Sequence, residues 1–337
     1  MSVSQPALTA TERIDAFLSA TSYGVRHPRV QWLTGDASDR QYVRVHLDGG
    51  DSIVLAVHPG AIDYAAMPFS TMAALLTRMG LPSPRVLDHS DALGIIAQED
   101  LGDVTLQARL GGDGITAHDS LYRQAVDLIH ALQVRGREFV ANTVPYTLAF
   151  DEEKLTFELN FFATHFLAGY RGVSLSAPEQ AQLTAEWSAI VDELAAEPRV
   201  VCHRDYHSRN LMVRGDALYL IDFQDARMGP DTYDLASLLR DSYVDITEGE
   251  RARLIAHFTR LSGVTDEAEF RRRFDLMCVQ RNIKALGTFG FQASVRGRLA
   301  YVADMPRTLR AVRENLLKYE RFARLHGLLA AHVEELR

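Results

Sequence analysis

The sequence predicts an α+β protein with two lobes, a small β-rich amino-terminal lobe and a larger α-helical carboxyl-terminal lobe. At 337 residues the chain exceeds the usual size of one domain and is expected to divide. Strand patterns with turn signals are concentrated before residue 100, whereas apolar residues recur at helical spacing through most of the remainder. We therefore assign the first lobe to residues 1–100 and the second to residues 101–337.

The first lobe is predicted to order its elements as a helix, two strands, a second helix and two more strands. Thr9 and Glu12 form a capping-box pattern before the first helix. Gly49 and Gly50 lie in a hairpin turn between the first two strands, and Gly80 ends the second helix. With a short strand before Gly35, the sheet would have five strands. The predicted bounds are helix 12–20, strands 41–47 and 52–58, helix 64–78, and strands 85–87 and 93–98.

The second lobe is predicted to be mostly helical, because apolar residues return at the spacing of one helix face. Strands are expected only near the hairpin signal Gly215-Asp216, which separates apolar runs at 211–213 and 218–221. The predicted helices are 121–132, 157–168, 178–196, 235–244, 250–261 and 267–286, with further helices from 306 to the end.

Composition excludes several classes of partner. The formal net charge of −8 argues against nucleic acid, whose phosphates reward excess Lys and Arg. No apolar run approaches the length of a membrane span. Cys202 and Cys278 cannot form a disulfide framework, and reduced, buried cysteines are typical of the cytoplasm. We expect a cytoplasmic monomer with no membrane or nucleic-acid partner.

The most informative segment is His203-Arg204-Asp205-Tyr206-His207-Ser208-Arg209-Asn210, with Ile221-Asp222-Phe223 after the hairpin. Phosphoryl transfer needs a carboxylate at the attacking hydroxyl and oxygen ligands for Mg²⁺ on the ATP phosphates. Asp205 can supply the first, and Asn210 and Asp222 the second. A lone loop Asp is usually a turn or cap residue, but the joint match of motif and hairpin favours catalysis. The hairpin is expected to return Asp222 to the side of Asn210.

The stretch from Val201 to Asp241 resembles the aminoglycoside phosphotransferase and choline kinase superfamily, which has a protein-kinase-like fold. Within it, residues 222–241, with 34–40, 98–103 and 280–287, are similar to the anomeric kinases of N-acetylmuramate and N-acetylglucosamine in bacterial cell-wall recycling. The resemblance implies that ATP and Mg²⁺ are used to convert an amino sugar into its 1-phosphate.

The resemblance also implies a nucleotide site. A covering loop with small residues lets backbone N–H groups approach phosphate oxygens, and a hinge after the last strand contacts adenine. These residues are Gly35, Ala37, Ser38, Arg40 and Arg44 for the loop and its strand, and Gln98, Asp100 and Leu101 for the hinge.

One departure from the superfamily concerns the phosphate clamp. Most members carry a Lys in the third strand and a Glu on the following helix, yet residues 52–58 contain no Lys and 64–80 no Glu. Losing both is coherent, because either alone would be an uncompensated charge. Arg40, Arg44 or His58 are the candidates to neutralise the phosphates.

Acceptor contacts are predicted mainly from the helical lobe. Arg281 and Lys284 lie three residues apart, on one face of a helix. Such cations suit an anionic or polyhydroxyl acceptor, and solvent-directed side chains are the alternative. Asp225 would assist the metal or contact the sugar. The full predicted set is Glu158, Asn160, His165, Asp225, Arg240, Arg281 and Lys284.

Two residues are predicted to support the loop rather than react. His203 is expected to pack beneath it and bond to backbone. Asp234 is expected to hold the loop from below, or simply to cap a helix.

Two other functions stay open. One is a kinase of the same fold acting on another hydroxyl compound, such as an aminoglycoside, choline or homoserine. The other is a nucleotide-binding module without turnover, which the missing clamp keeps open. The complete set of Asp205, Asn210 and Asp222 favours an enzyme.

Overall fold

The computed structural model describes residues 8–33, 40–111, 114–139 and 142–337. The chain divides into two compact units. The first comprises Met1–Asp103 with Tyr219–Gln224, and the second comprises Val104–Leu218 with Asp225–Arg337. A short segment that begins within the second run of the predicted hairpin thus belongs with the amino-terminal unit, although the chain on either side of it does not.

The first unit is built on a five-stranded antiparallel sheet, as predicted, including a short strand before residue 34. The strand order is β1-β2-β3-β5-β4. Ile14 and Phe17 of the first helix pack with Val43 and Leu55 of the sheet in one buried core. The predicted capping box at Thr9 and Glu12 is present. The elements are α1 (Ala10–Ala20), β1 (Arg29–Leu33), β2 (Gln41–His46), β3 (Ser52–Val57), α2 (Pro68–Arg78), β4 (Val86–Ser90) and β5 (Ile95–Glu99).

The predicted helix 64–78 is wrong at its start. Tyr64–Ala66 is a separate 3₁₀ turn capped by the Asp63 side chain. The α-helix α2 begins only at Pro68. Proline fits the first turn of a helix because its missing N–H is not needed there, and it cannot serve further inside.

The second unit is mainly helical, which confirms the predicted fold class. Its elements are α3 (Leu106–Leu110), α4 (Asp119–Gly136), α5 (Glu152–Phe162), α6 (Ala177–Ala195), β6 (Arg199–Cys202), β7 (Leu211–Arg214), β8 (Ala217–Leu220), β9 (Arg227–Pro230), α7 (Tyr233–Leu239), α8 (Glu248–Ser262), α9 (Glu267–Ser294), α10 (Met305–Lys318) and α11 (Ala323–His332).

Three features of this unit differ from the prediction. The helix predicted at 157–168 is α5 followed by a π-helix, Ala163–Tyr170. The helix predicted at 235–244 ends at Leu239, because Asp241 turns back to accept backbone hydrogen bonds. The antiparallel pair β6 and β9 was missed, since four-residue strands are too short to show a period.

Helix α9 is longer than predicted and packs unusually close to α5 and the π-helix. A Cβ on Gly287 would lie 2.8 Å from the Phe162 nitrogen, and one on Gly290 would lie 2.5 Å from the His165 carbonyl oxygen. The two glycines therefore let the backbones approach. This contact fixes the position of α9, which carries Arg281 and Lys284, relative to α5 and the π-helix. Its 28 residues are not apolar enough to cross a bilayer, nor are those of any other helix in the described ranges.

Gly290→Ala should lower the stability of the protein. The added methyl group meets backbone atoms that cannot rotate away, and such overpacking costs about 1–3 kcal/mol. Gly249→Ala is the matched control, because this α8 glycine has open space around it and Ala favours helix by up to about 1 kcal/mol. Urea denaturation should show a lower midpoint for the first variant only. Equal midpoints would contradict the close approach.

Candidate active site

Two buried carboxylates hold the loop between β6 and β7. Asp234 at the start of α7 accepts the backbone N–H groups of His203 at 2.7 Å and Arg204 at 3.1 Å. Arg204 has a φ of 84°, a region that favours glycine, so these bonds also offset local strain. Asp241 accepts the N–H of Ser208 at 2.8 Å. Asp241 was not among the predicted site residues, since its role depends on where α7 ends.

The carboxylate of Asp205 lies inside a ring of cations, all within the second unit. Its Oδ1 accepts a hydrogen bond from Lys284 Nζ at 3.1 Å and lies 3.8 Å from Arg281 Nη1. Its Oδ2 lies 3.8 Å from Arg204 Nη1. The side chain retains 24% exposure, so an acceptor can still reach it. The predicted residues Asp205, Arg281 and Lys284 therefore meet in one place.

These cations determine the charge of Asp205. Burial alone would raise the pKa of Asp205, but Lys284, Arg204 and Arg281 outweigh it and hold the pKa well below its usual range. Burial lowers the pKa of Lys284, and Asp205 opposes that shift. Asp205 is consequently an ionised carboxylate of low basicity.

Glu158 and Asp225 are the other carboxylates of this cluster. Glu158 of α5 is buried, accepts a hydrogen bond from Gln280 at 3.0 Å and pairs with Lys154 at 3.3 Å. Asp225 pairs with Arg204 at 3.1 Å. Both predicted residues thus lie in the charged network that surrounds Asp205.

Three predicted acceptor residues have other surroundings. Arg240 is buried and donates to Glu314 at 2.6 Å and to Asn315 at 3.1 Å, so its charge is already compensated. Asn160 is exposed, and its position two residues from Glu158 turns it to the opposite side of α5. His165 packs against the rings of Phe161 and Phe291. That Arg240 and Asn160 contact the sugar stays a prediction.

The surroundings of Asn210 suit a metal ligand. Its side-chain nitrogen donates to the Asp205 carbonyl at 2.9 Å, which directs the amide oxygen, the atom that binds Mg²⁺, to the other side. In the described ranges no group of three or more His, Cys, Asp or Glu side chains could hold a metal ion. Mg²⁺ in nucleotide sites commonly uses one or two protein ligands plus phosphates.

Asp222 belongs to the first unit and is anchored there by its neighbours. Phe223 stacks on Phe69 of α2 with ring centroids 5.3 Å apart, and the Leu220 N–H donates to the Pro82 carbonyl at 2.9 Å. Asp222 has a φ of 62° and accepts a hydrogen bond from Gln224 at 2.8 Å. That it shares a metal with Asn210 stays a prediction.

Arg44, predicted to contact the nucleotide, is occupied by two carboxylates of its own unit. It binds Asp100 through Nε at 2.6 Å and Nη2 at 3.0 Å, and Asp103 through both terminal nitrogens at 2.8 Å. Asp100 also accepts from Ser52 at 2.7 Å and from the Gly102 N–H at 2.9 Å. Arg44 and Asp100 therefore fix the end of β5, and that Arg44 also contacts the nucleotide stays a prediction.

The structure describes some of the other residues that are predicted to contact the nucleotide. Burial raises the pKa of Tyr42, Arg40 lowers it and Asp222 raises it, so both charges lie near this ring. Burial, Arg40 and Arg13 lower the pKa of His58, which favours its neutral form. Gln98 pairs within the sheet and Leu101 is buried beyond it. The other loop predictions, Gly35, Ala37 and Ser38, lie outside the described residues.

Known proteins resemble the chain along most of its length. Residues 29–272 match a family described as a phosphotransferase enzyme family. An N-acetylmuramate/N-acetylglucosamine kinase of Neisseria meningitidis is 32% identical over 94% of this chain and 95% of its own. One from Pseudomonas aeruginosa is 33% identical over 88% and 87%. A choline/ethanolamine kinase family structure from Mesorhizobium loti has a TM-score of 0.62 at 17% identity, covering 98% and 99%, which confirms the fold.

Arg44→Met should destabilise the first unit strongly. It leaves the Asp100 carboxylate, whose side chain is 6% exposed, without its cation, and breaking a buried pair costs about 3–5 kcal/mol. Arg85→Met is the matched control in the same sheet region, because Arg85 is 73% exposed in its pair with Glu99 and exposed pairs contribute about 0–1 kcal/mol. Thermal melting followed by circular dichroism compares them. Similar melting temperatures would refute a structural role for Arg44.

Proposed function

Because the chain belongs to the phosphotransferase enzyme family, we propose that it transfers the γ-phosphoryl group of ATP to the anomeric hydroxyl of N-acetylmuramate and N-acetylglucosamine. Four relatives named N-acetylmuramate/N-acetylglucosamine kinase are 27–33% identical to this chain and match most of its length. The product would be the amino-sugar 1-phosphate, which fits a role in peptidoglycan recycling. Such a role, and the use of ATP, place the enzyme in the cytoplasm.

The observation that carries the proposal is the ionised Asp205 on a loop fixed by Asp234 and Asp241. A carboxylate in this state accepts a hydrogen bond from an incoming hydroxyl and orients its oxygen for attack. Phosphoryl transfer depends mainly on the positioning of the reactants and on the stabilisation of charge. A fixed loop with surrounding cations meets both requirements.

The reaction is proposed as a direct in-line displacement. The acceptor oxygen forms a bond to the γ-phosphorus as the bond to the β–γ bridging oxygen breaks, and the bridging electron pair leaves with ADP. The hydroxyl proton passes to Asp205 late in the step. Asn210 and Asp222 would hold Mg²⁺, which supplies charge neutralisation at the leaving phosphates.

The low basicity of Asp205 favours an acidic hydroxyl as acceptor. An anomeric hydroxyl is more acidic than the other hydroxyl groups of a sugar, so a weaker base can accept its proton. Three cations within 4 Å of Asp205 also disfavour polycationic acceptors such as aminoglycosides. A neutral sugar, or one that carries a carboxylate, is compatible with this charge.

Other residues have proposed parts in binding. Glu158 and Asp225, in the network around Asp205, are proposed to contact acceptor hydroxyl groups. His165 is proposed to line the acceptor side from the π-helix. On the nucleotide side, Arg40 is the remaining cation of the first unit that we propose for the phosphates, and Gln98 and Leu101 stay proposed contacts near adenine.

Asp205→Asn should lower kcat at least 100-fold while nucleotide binding persists. The amide keeps the shape but cannot accept the proton, and a positioned base typically contributes about 10²–10⁴-fold. Steady-state kinetics with N-acetylmuramate and N-acetylglucosamine measure the loss. Asp275→Asn is the matched control, because Asp275 also pairs with a lysine, Lys318 at 2.9 Å, outside the Asp205 cluster. Near-normal turnover by Asp205→Asn would remove it as the base.

Phosphate should appear on the anomeric carbon. Phosphorus NMR of the product should show coupling to the anomeric proton, and the O-methyl glycoside of either sugar should not react. Free and O-methylated sugars differ only in the group that we propose reacts, so the comparison is internally controlled. A 6-phosphate, or turnover of the methyl glycoside, would show that another hydroxyl is the acceptor.

A further inference from the structure

We propose that Lys284 is a catalytic residue, whose ammonium binds the transferred phosphoryl group and neutralises its charge in the transition state. The inference rests on the proposed function and concerns the part of α9 that faces Asp205. It gives Lys284 a role on the transferred phosphoryl group, which differs from the grip on the other phosphates that a third-strand lysine provides in most of the superfamily.

The position of Lys284 follows from its contact with Asp205. An acceptor hydroxyl must lie about 2.6–3.2 Å from the Asp205 carboxylate to transfer its proton. Because Lys284 Nζ is 3.1 Å from Oδ1, this nitrogen lies within about 6 Å of an acceptor oxygen that bonds to the same Oδ1. The phosphorus becomes bonded to that same oxygen. A small rotation of the flexible lysine stem therefore reaches the phosphoryl oxygens.

Neighbouring cations are held by other partners. Arg281 donates to Ser237 Oγ at 2.6 Å and lies over the ring of Tyr233. Arg204 pairs with Asp225 at 3.1 Å. Lys284 instead donates to Asp205 itself, a group that must turn to the acceptor during the reaction. Of these three cations, Lys284 lies nearest to Asp205, at 3.1 Å against 3.8 Å for each arginine.

Neither the third strand nor Arg44 supplies a cation for the transferred group. Strand β3 contains no lysine, and the donors of Arg44 are used by Asp100 and Asp103. The transferred group carries its charge on three equatorial oxygens, and a preorganised cation in a partly buried site stabilises such charge well. Lys284 is only 15% exposed, so water screens it little.

The backbone beneath Lys284 is rigid. Gly287 lies one turn further along α9, where its backbone meets Phe162. Glu158, on the neighbouring helix α5, opposes the loss of the ammonium proton through its charge, as Asp205 does. The backbone of α9 thus holds the charged amine of Lys284 at a fixed position relative to α5. Lys284 keeps its proton throughout, and the hydroxyl proton still goes to Asp205.

The test replaces Lys284 with Gln, which can still donate a hydrogen bond to Asp205 but carries no charge. We expect kcat to fall about 100-fold or more, as when one oxyanion donor is lost, by a similar factor for N-acetylmuramate and N-acetylglucosamine. Lys284→Arg, which keeps the charge, should recover at least tenfold over Lys284→Gln. Lys318→Gln is the matched control, because Lys318 pairs with Asp275 on α9 but lies outside the Asp205 cluster.

The split between kcat and KM separates catalysis from scaffolding. An interaction made only in the transition state lowers kcat and kcat/KM together, so Lys284→Gln should leave the KM values for ATP and for both sugars nearly unchanged. A residue that only supported the site would raise KM as well. Lys318→Gln should change neither kcat nor KM.

Two results would overturn the proposal. If Lys284→Gln raises only the KM for N-acetylmuramate, Lys284 binds the carboxylate that distinguishes this sugar from N-acetylglucosamine. If kcat is unchanged for both sugars, Lys284 has no part in the transfer. Failure of the unsubstituted enzyme to phosphorylate either sugar would instead refute the proposed function, so the two failures are distinguishable.

Discussion

The contact between Asp205 and its cations is the interaction on which the active site depends. An ionised carboxylate in a largely dehydrated place is costly unless opposite charge lies close by. Lys284, Arg281 and Arg204 supply that charge from α9 and from the loop itself. The same cations make Asp205 a weak base. Asp205 is therefore a weak proton acceptor but stays negatively charged. In the proposed reaction this charge orients the acceptor hydroxyl, whose proton leaves late.

A site that relies on cations from a distant helix requires that helix to be placed accurately. Gly287 and Gly290 bring the α9 backbone against Phe162 and His165 without intervening side chains. The π-helix at Ala163–Tyr170 lies along this contact, and such insertions are frequent at functional sites. On the loop side, Asp234 and Asp241 fix both ends through backbone N–H groups. Loop and helix are thus positioned by backbone contacts, which vary less than contacts between long side chains.

Local signals in the sequence predicted what is locally determined. The capping box at Thr9, the hairpins and the helical periods needed only neighbouring residues, and the joint spacing of Asp205, Asn210 and Asp222 indicated the chemistry. Long-range partners left no such signal. Nothing in the sequence near Arg44 indicates that it pairs with Asp100 and Asp103, more than fifty residues away. The same holds for Arg240, whose partners Glu314 and Asn315 lie on α10.

The proposed role of Lys284 offers a reason for the missing lysine and glutamate of the phosphate clamp. Arg44 lies on β2 but pairs with Asp100, so its charge stabilises the sheet. Three cations of the helical unit lie within 4 Å of Asp205. A clamp in the sheet holds the phosphates of the nucleotide before and after transfer, whereas a cation beside the base acts mainly on the group in motion. Interactions that strengthen in the transition state raise kcat, while uniform binding lowers only KM. If Lys284 acts as we propose, a charge on α9 in place of one in the sheet shifts binding energy from holding ATP to accelerating the transfer.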